Sequence, residues 1–386
     1  MHGTRLVVLA ALVATALAAC TAEPELVDSG YLVITGANGS VTLVDREGGE
    51  PEVVSPASGG PVPVQATVSA DGAILVWSDV SATGRRVVMI HDEAGTRQLA
   101  VPTLPFYYAF TPDGSTVAAL GNDPAGRGVA LVMIDLDEDT AELVEVGQPY
   151  FIDWSPDGDR LAVHLNDDML GLVDRAGDRT GVEVSPAMFS APAWTEDGRI
   201  VAVLASDQLT AAAVSLQAAR FTLALVDPDD ATTETVAVLA EAAAFEVSGD
   251  RIAYLHGDTG LGSLSVVGLD GSDPVEVAGD GVVAFEWSPD GQALLFYTLA
   301  ESLELVPHVW DGDTVVEHPG FVPTEMFITQ YLPFWAQYTR NITQWSPDSS
   351  AFAYADGGGD AGEVWVQPLD GEAEEVAAGE MVIWAP

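Results

Sequence analysis

Residues 154–167 read Trp-Ser-Pro-Asp-Gly-Asp-Arg-Leu-Ala-Val-His-Leu-Asn-Asp. In Ser155-Pro156-Asp157-Gly158 the proline brings its fixed φ to the second position of a β-turn. Glycine stands at the fourth, and the serine hydroxyl is placed to bond the turn backbone. The stretch 151–154 before the turn ends on an aromatic, and 160–165 after it alternates. This pattern predicts an antiparallel hairpin of half-buried strands. Residues 169–174 and 181–185 predict two more short strands, so one unit holds four.

The unit recurs along the chain. Copies read VSADGAILVWSD (68–79), FTPDGSTVAALGND (110–123), WTEDGRIVAVLASD (194–207), VSGDRIAYLHGD (247–258), WSPDGQALLFYT (287–298) and WSPDSSAFAYAD (345–356). The turn aspartates Asp71, Asp113, Asp157, Asp197, Asp250, Asp290 and Asp348 are spaced by 42, 44, 40, 53, 40 and 58 residues. A period of about 46 suits one four-stranded blade. These copies resemble the repeats of the TolB-type β-propeller, which are built around Trp-Ser-Pro-Asp-Gly. The match is best from Trp154, Trp287 and Trp345 onward. The first two copies lack the Trp, the copy at 247 is shortened, and Ser349 follows Asp348 in place of Gly. The resemblance spans residues 31–386 and implies an all-β fold; a fold shared so widely says little about activity.

Seven motif copies suggest seven blades. Residues 31–55 nevertheless hold strands of a further blade that lacks its first, and the chain end, EMVIWAP (380–386), looks like a truncated copy of that missing strand. We therefore expect eight blades in one domain, 30–386, with the last strand completing the first blade; seven is the alternative. Eight gives about 44 residues per blade and seven about 51, above the usual range. Such closure removes the open sheet edges that invite aggregation.

The chain has 386 residues, with 59 Asp+Glu against 13 Lys+Arg and a formal net charge of -46. Every one of the basic residues is Arg. A phosphate partner needs basic stripes, so nucleic-acid binding is excluded. Without Lys there is neither a P-loop nor a Schiff base. One Cys excludes a disulfide framework and multi-Cys metal sites. Hydrophobic residues at 48% separate the chain from acidic disordered tails.

That single Cys has a place. Residues 1–20 read MHGTRLVVLAALVATALAAC: a short positive start, an apolar run of signal length, then Leu17-Ala18-Ala19-Cys20. The last four resemble the lipobox of bacterial lipoproteins. The resemblance implies a signal peptide over 1–19, lipidation at Cys20, a tether over 20–29, and an outward-facing protein held at the membrane or envelope by its acyl chains. An ordinary secretory signal with a chance Cys is the alternative.

Three features are expected on the face opposite the Pro-Asp-Gly turns. Asp79, Asp123, Asp167, Asp207, Asp258 and Asp356 end second strands and could form an acidic rim for a cation or a basic partner; simple turn chemistry is the alternative. The long connection 319–341 carries Phe327, Tyr331, Phe334, Trp335 and Tyr338. It reads as a short helical cap interrupted at Pro333, offering either a partner platform or a plug that buries itself. The Ala-rich stretch 208–220 reads as blade elongation.

Catalytic patterns do not emerge. His164 and His256 fall on opposite faces of their strands, and His308 and His318, flanking the long connection, are the better candidates. Residues 135–139 fail the EF-hand pattern, with Thr140 and Val146 at its sixth and twelfth positions, and read as an acidic turn, as does 227–230. No Gly-x-Ser-x-Gly elbow occurs. The expectation leans away from an enzyme and towards a scaffold: a monomer binding a protein or peptide, with no cofactor or metal. A channel-centred small-molecule binder or hydrolase, and an accessory subunit of a transporter or envelope complex, are the alternatives.

Overall fold

The computed structural model describes residues 30–46, 50–55, 64–148, 150–165, 170–187, 191–205, 221–240, 244–257, 262–333, 335, 342–359 and 361–386. Residues 1–29, over which a signal, a tether and lipidation at Cys20 were expected, lie outside them, as does the Ala-rich stretch 208–220.

The repeated turn works through a side-chain clamp. Ser155 Oγ donates to Asp157 Oδ1 (2.6 Å) and accepts from the Arg160 amide (2.9 Å), while Asp157 Oδ1 accepts from the Asp159 amide (3.1 Å). Gly158 closes the turn on the Ser155 carbonyl at 2.8 Å with φ +70°, a backbone region open to glycine. The same hydroxyl-to-aspartate bond forms at Ser69–Asp71, Thr111–Asp113, Thr195–Asp197, Ser288–Asp290 and Ser346–Asp348. Each clamp satisfies backbone donors that a tight turn would leave without partners.

From each clamp the chain meanders outward in antiparallel strands. Among the described residues there are five four-stranded sheets, one seven-stranded sheet and one three-stranded sheet. In the seven-stranded sheet the 13-residue strand Val275–Trp287 serves two meanders. Its first part pairs with Gly262–Gly268 and its last part with Leu294–Leu299, with register shifts at both. The three-stranded sheet begins at Ala351–Asp356, and a Trp345–Phe352 bridge adds a contact from the chain before it. Strand Met381–Ala385 pairs with Tyr31–Thr35, from Tyr31–Ala385 to Thr35–Met381, so the last strand completes the first sheet. One strand differs from expectation: the fourth strand after Trp154 is Arg179–Gly181, not 181–185. Val182 and Val184 beyond it are buried, and both still bond the Leu170 backbone, at 2.8 and 3.2 Å.

The first strands of successive sheets lie side by side, and tryptophan links them. Trp154 Nε1 donates to the Ala109 carbonyl (2.9 Å), Trp194 to Asp153 (3.1 Å), Trp287 to Glu246 (3.3 Å) and Trp345 to Glu286 (3.2 Å). Each acceptor stands one residue before the corresponding aromatic position of the preceding repeat. Two such positions add a carboxylate contact: Asp153 accepts from the Trp194 amide (2.7 Å), and Glu246 from the Trp287 amide (3.1 Å). Arg160 and Arg251, following their turns, lie over the next repeat's Trp194 and Trp287 rings at 5.2 and 4.8 Å. The motif Trp is thus both core packing and a fastener between successive repeats.

Candidate functional site

The long connection leaves the seven-stranded sheet and folds inward. Phe321 and Leu305 pair in an antiparallel bridge, and Pro323 pairs with Asp356. Thr324 Oγ1 donates to the Glu380 carbonyl and accepts from the Phe327 amide, which ties the connection to the chain's closing strand. A single π-helical turn, Phe327–Tyr331, follows. Its rings stack at 4.6 Å, and Phe327 meets Phe321 and Tyr297 edge-on, each at 6.3 Å.

Phe327 is 1% exposed and Tyr331 3%, so both belong to the core. The two rings expected to offer a platform or a plug pack inward near Tyr297 and Phe321, where apolar rings are worth more than facing water. Trp335 is partly buried, with its ring 4.5 Å from Phe285 and edge-on to it. Phe334 and Tyr338 lie outside the described residues. Apolar exposure on this connection comes from other side chains, Val322 and Ile328, and from Leu299 and Leu303 on the neighbouring turn.

Under the plug lies a cavity of about 250 Å³. Strand Ala244–Ser248, the end of Val275–Trp287 and residues 342–343 form its walls, with Tyr331 and Trp335 on the connection's side. Glu286 is its chemical centre. Its Oε1 accepts from Thr343 Oγ1 and from the Gln344 amide (3.0 Å); its Oε2 has only longer contacts, to the Gln344 amide (3.3 Å) and Tyr331 Oη (3.5 Å). Burial raises the Glu286 carboxyl to about 7, against the opposing pull of these donors. Burial likewise pushes the Tyr331 and Tyr297 phenols well above their ordinary value, with the Glu286 charge adding to it. Glu246 lines the same cavity. Neither glutamate was singled out from sequence, although the signal is visible afterwards: an acid stands directly before the motif's aromatic position in FEV (245–247) and FEW (285–287).

The acids expected to form a rim accept hydrogen bonds from nearby donors where they are described. Asp123 is buried and holds Arg127 through Oδ2 at 2.7 Å and Oδ1 at 3.1 Å. Asp79 accepts from the Val80 amide (2.6 Å), and Asp356 from the Gly358 (2.8 Å) and Val322 (3.3 Å) amides. Asp167, Asp207 and Asp258 lie outside the described residues.

The histidines do not converge on the cavity. His308 stacks on Phe296 at 4.9 Å and meets Thr298 Oγ1 at 2.9 Å; burial lowers its pKa, with Glu317 opposing. His318 is buried edge-on to Phe352, and burial lowers it too. His164 is buried beside Phe151, and His256 meets Ser265 Oγ at 3.0 Å. Residues 135–139 form a hairpin turn in which Asp135 accepts from the Asp137 and Glu138 amides at 3.0 and 2.8 Å. Among the described residues no group of three or more His, Cys, Asp or Glu is placed to hold a metal, and no helix is long and apolar enough to cross a membrane.

Solved structures resemble this arrangement. One is the β-propeller domain of the Trilobed protease from Pyrococcus furiosus, with a TM-score of 0.52 and 13% identity over 82% of this chain and 97% of that one. Another is the dihydro-heme d1 dehydrogenase NirN, with a TM-score of 0.60 and 15% identity over 92% of this chain and 74% of that one. A third is an oligogalacturonate lyase solved with manganese, with a TM-score of 0.53 and 15% identity over 79% and 85%. At such identities the likeness concerns the fold: this chain is a β-propeller. No protein-family model matches it, and neither does any curated protein.

Proposed function

We propose that the protein is a lipid-anchored, outward-facing, eight-bladed propeller of TolB type that binds a protein or peptide segment on the face carrying the long connection. The blade count is supported by the seven-stranded sheet, whose shared strand reads as two blades, and by the Trp345–Phe352 bridge, which supplies a first strand to the three-stranded one. The lipid anchor rests on the Leu17–Cys20 sequence, with cleavage before Cys20.

One observation carries the binding role. Leu299, Leu303, Val322 and Ile328 are 43, 69, 41 and 47% exposed on segments that the Leu305–Phe321 bridge ties together. Exposed Glu301 and Glu325 stand among them. A rigidly anchored apolar patch among carboxylates suits a segment with apolar side chains flanked by basic ones. The buried Phe327 and Tyr331 then serve as the foundation of the patch.

The test places a photo-crosslinker at Leu303 and at Ile328, with exposed Val238 as control, in cells expressing the full chain. Discrete adducts at the first two positions, lost in Leu303→Glu, are expected; equal labelling at Val238 or none anywhere refutes the reading. Cys20→Ser should move the protein from the membrane to the soluble fraction.

A further inference from the structure

We propose that the Pro-Asp-Gly-turn face of the propeller is turned to the bilayer and the patch of Leu299, Leu303, Val322 and Ile328 away from it, so that the patch takes a soluble protein or peptide from the aqueous side and does not dip into lipid. The inference rests on the lipid anchor at Cys20 and adds which face that anchor holds down.

The chain enters the ring at a turn. Tyr31 stands opposite Ala385 and Leu32 opposite Trp384, the register that sets Leu161 opposite Trp154. Ala385 and Gly30 therefore occupy the places that Ser155 and Asp159 hold around an unbroken turn. Gly30 is buried there with φ +68°, and a Cβ on it would lie 2.3 Å from the Ala385 carbonyl oxygen and 2.5 Å from Cγ of Pro347, the proline of the last complete turn. Tyr31 Oη donates to the carbonyl of Gly72, in the first turn, at 3.0 Å. The point where the tether reaches the propeller is thus fixed between two turns of one face.

The patch lies at the other end of the strands. Leu294–Leu299 starts beyond the Pro289-Asp290-Gly291 turn, and its six residues carry the chain about 20 Å before Leu299. Leu303 stands in the turn that follows. The Leu305–Phe321 bridge holds the start of the long connection, with Val322 and then Ile328, at that same end.

Chain length separates the two orientations. From Cys20 to Gly30 a fully extended chain covers about 35 Å. With the turn face down, that length is ample. With the patch face down, the chain would run outward from Gly30 past Val41–Asp45 and Glu52–Ser55, about 10 Å at the usual strand spacing, and then along the height of the blade, about 20 Å, with turns and side chains still to clear. That route demands a tether stretched to its limit, the arrangement with least conformational freedom. Apolar exposure on an anchored protein has a second use, insertion into the membrane. This patch is on the wrong side for it, and exposed Glu301 and Glu325 among its side chains are costly to carry into hydrocarbon.

The test uses the full lipidated chain in phosphatidylcholine vesicles that contain a headgroup-labelled acceptor lipid. Cys20 is the only Cys and its sulfur is taken up by the anchor, so a single introduced Cys takes the donor dye. Two pairs of exposed positions each bracket one strand: Ala94→Cys against Ala82→Cys around Arg86–Asp92, and Asp313→Cys against Ser302→Cys around Leu305–Trp310. The expected result is at least about twofold more energy transfer from Ala94→Cys and Asp313→Cys, which sit about 20 Å nearer the lipid than their counterparts. A polarity-sensitive dye at Leu303→Cys should emit in vesicles as it does in the soluble Cys20→Ser form. Equal transfer within the pairs, the reverse order, or a blue shift at Leu303→Cys overturns the proposal and leaves the anchor standing. A chain that does not associate with the vesicles and shows no transfer from any position refutes the anchor, and this orientation with it.

Discussion

Trp345 Nε1 donates to the main-chain oxygen of Glu286 at 3.2 Å across 59 residues of sequence. The carbonyl of Glu286 thereby fastens one sheet to the next, while its side chain faces the cavity under the plug. Structural repetition and the candidate binding site meet in one residue. Where Asp153 and Glu246 hold the equivalent position, the carboxylate accepts from the following Trp amide. At Glu286, Thr343 Oγ1 instead takes the Trp345 amide at 3.0 Å, and the carboxylate is shifted to the Gln344 amide.

Replacing Trp345 with Phe retains a large buried ring but leaves the Glu286 carbonyl without its indole donor. The expected cost is about 1–3 kcal/mol, from the desolvated acceptor. Trp154→Phe should cost a similar amount, because Ala109 loses the same bond. Chemical denaturation of both variants checks this; stabilities equal to the parent would show that the indole bonds carry no weight.

Deleting residues 381–386 exposes the edge of strand Tyr31–Thr35 and removes the buried Val382, Ile383 and Trp384. Each of these side chains contributes roughly 1.5–3 kcal/mol by burial. The truncated protein should melt far below the parent and scatter light on heating, since an unpaired edge recruits other chains. A melt within a degree or two of the parent would contradict this.

Acid should loosen the turns together. The Arg199 guanidinium and the Thr195 hydroxyl hold Asp197 down at about 2, and the Ser155 hydroxyl lowers Asp157. A carboxyl lowered on folding stabilises the protein above its unfolded pKa, about 3.9, and loses that contribution as pH falls through the folded value. Urea midpoints should therefore decline between about pH 4 and 2. Asp197→Asn should make that decline shallower, and an unchanged slope would remove Asp197 from its cause.

Glu286 acts in the opposite sense. Its carboxyl, raised from 4.5 to about 7, binds a proton in the folded state at pH values where the unfolded chain has lost it. Stability should fall as pH rises through this window and level off above it. Glu286→Gln keeps the acceptor for Thr343 and Gln344 and should flatten the profile there. A profile unchanged by this substitution would mean that the fall arises elsewhere.

The repeat and its turns are legible in the sequence. A β-turn depends on neighbours within a few residues, and Ser155, Pro156, Asp157 and Gly158 carry their conformational preferences wherever they stand. The pairing of Met381–Ala385 with Tyr31–Thr35 was also inferable, because the two chain ends hold complementary pieces of one repeat. The fourth strand, expected over 181–185, is Arg179–Gly181; burial still alternates through Val184, so alternation alone does not mark where the strand ends.

The binding features belonged to a different scale. Aromatic content alone cannot tell a platform from a plug; Phe327 and Tyr331 face inward because Phe321 and Tyr297 await them there. The glutamates of the cavity resembled dozens of other acids until the fold took Glu286 out of water and set Tyr331, Thr343 and Trp335 around it. Periodic local preference specifies the β modules, whereas burial and charge at Glu286 arise only when segments some 40 to 60 residues apart are packed together, as the 45- and 57-residue separations to Tyr331 and Thr343 show.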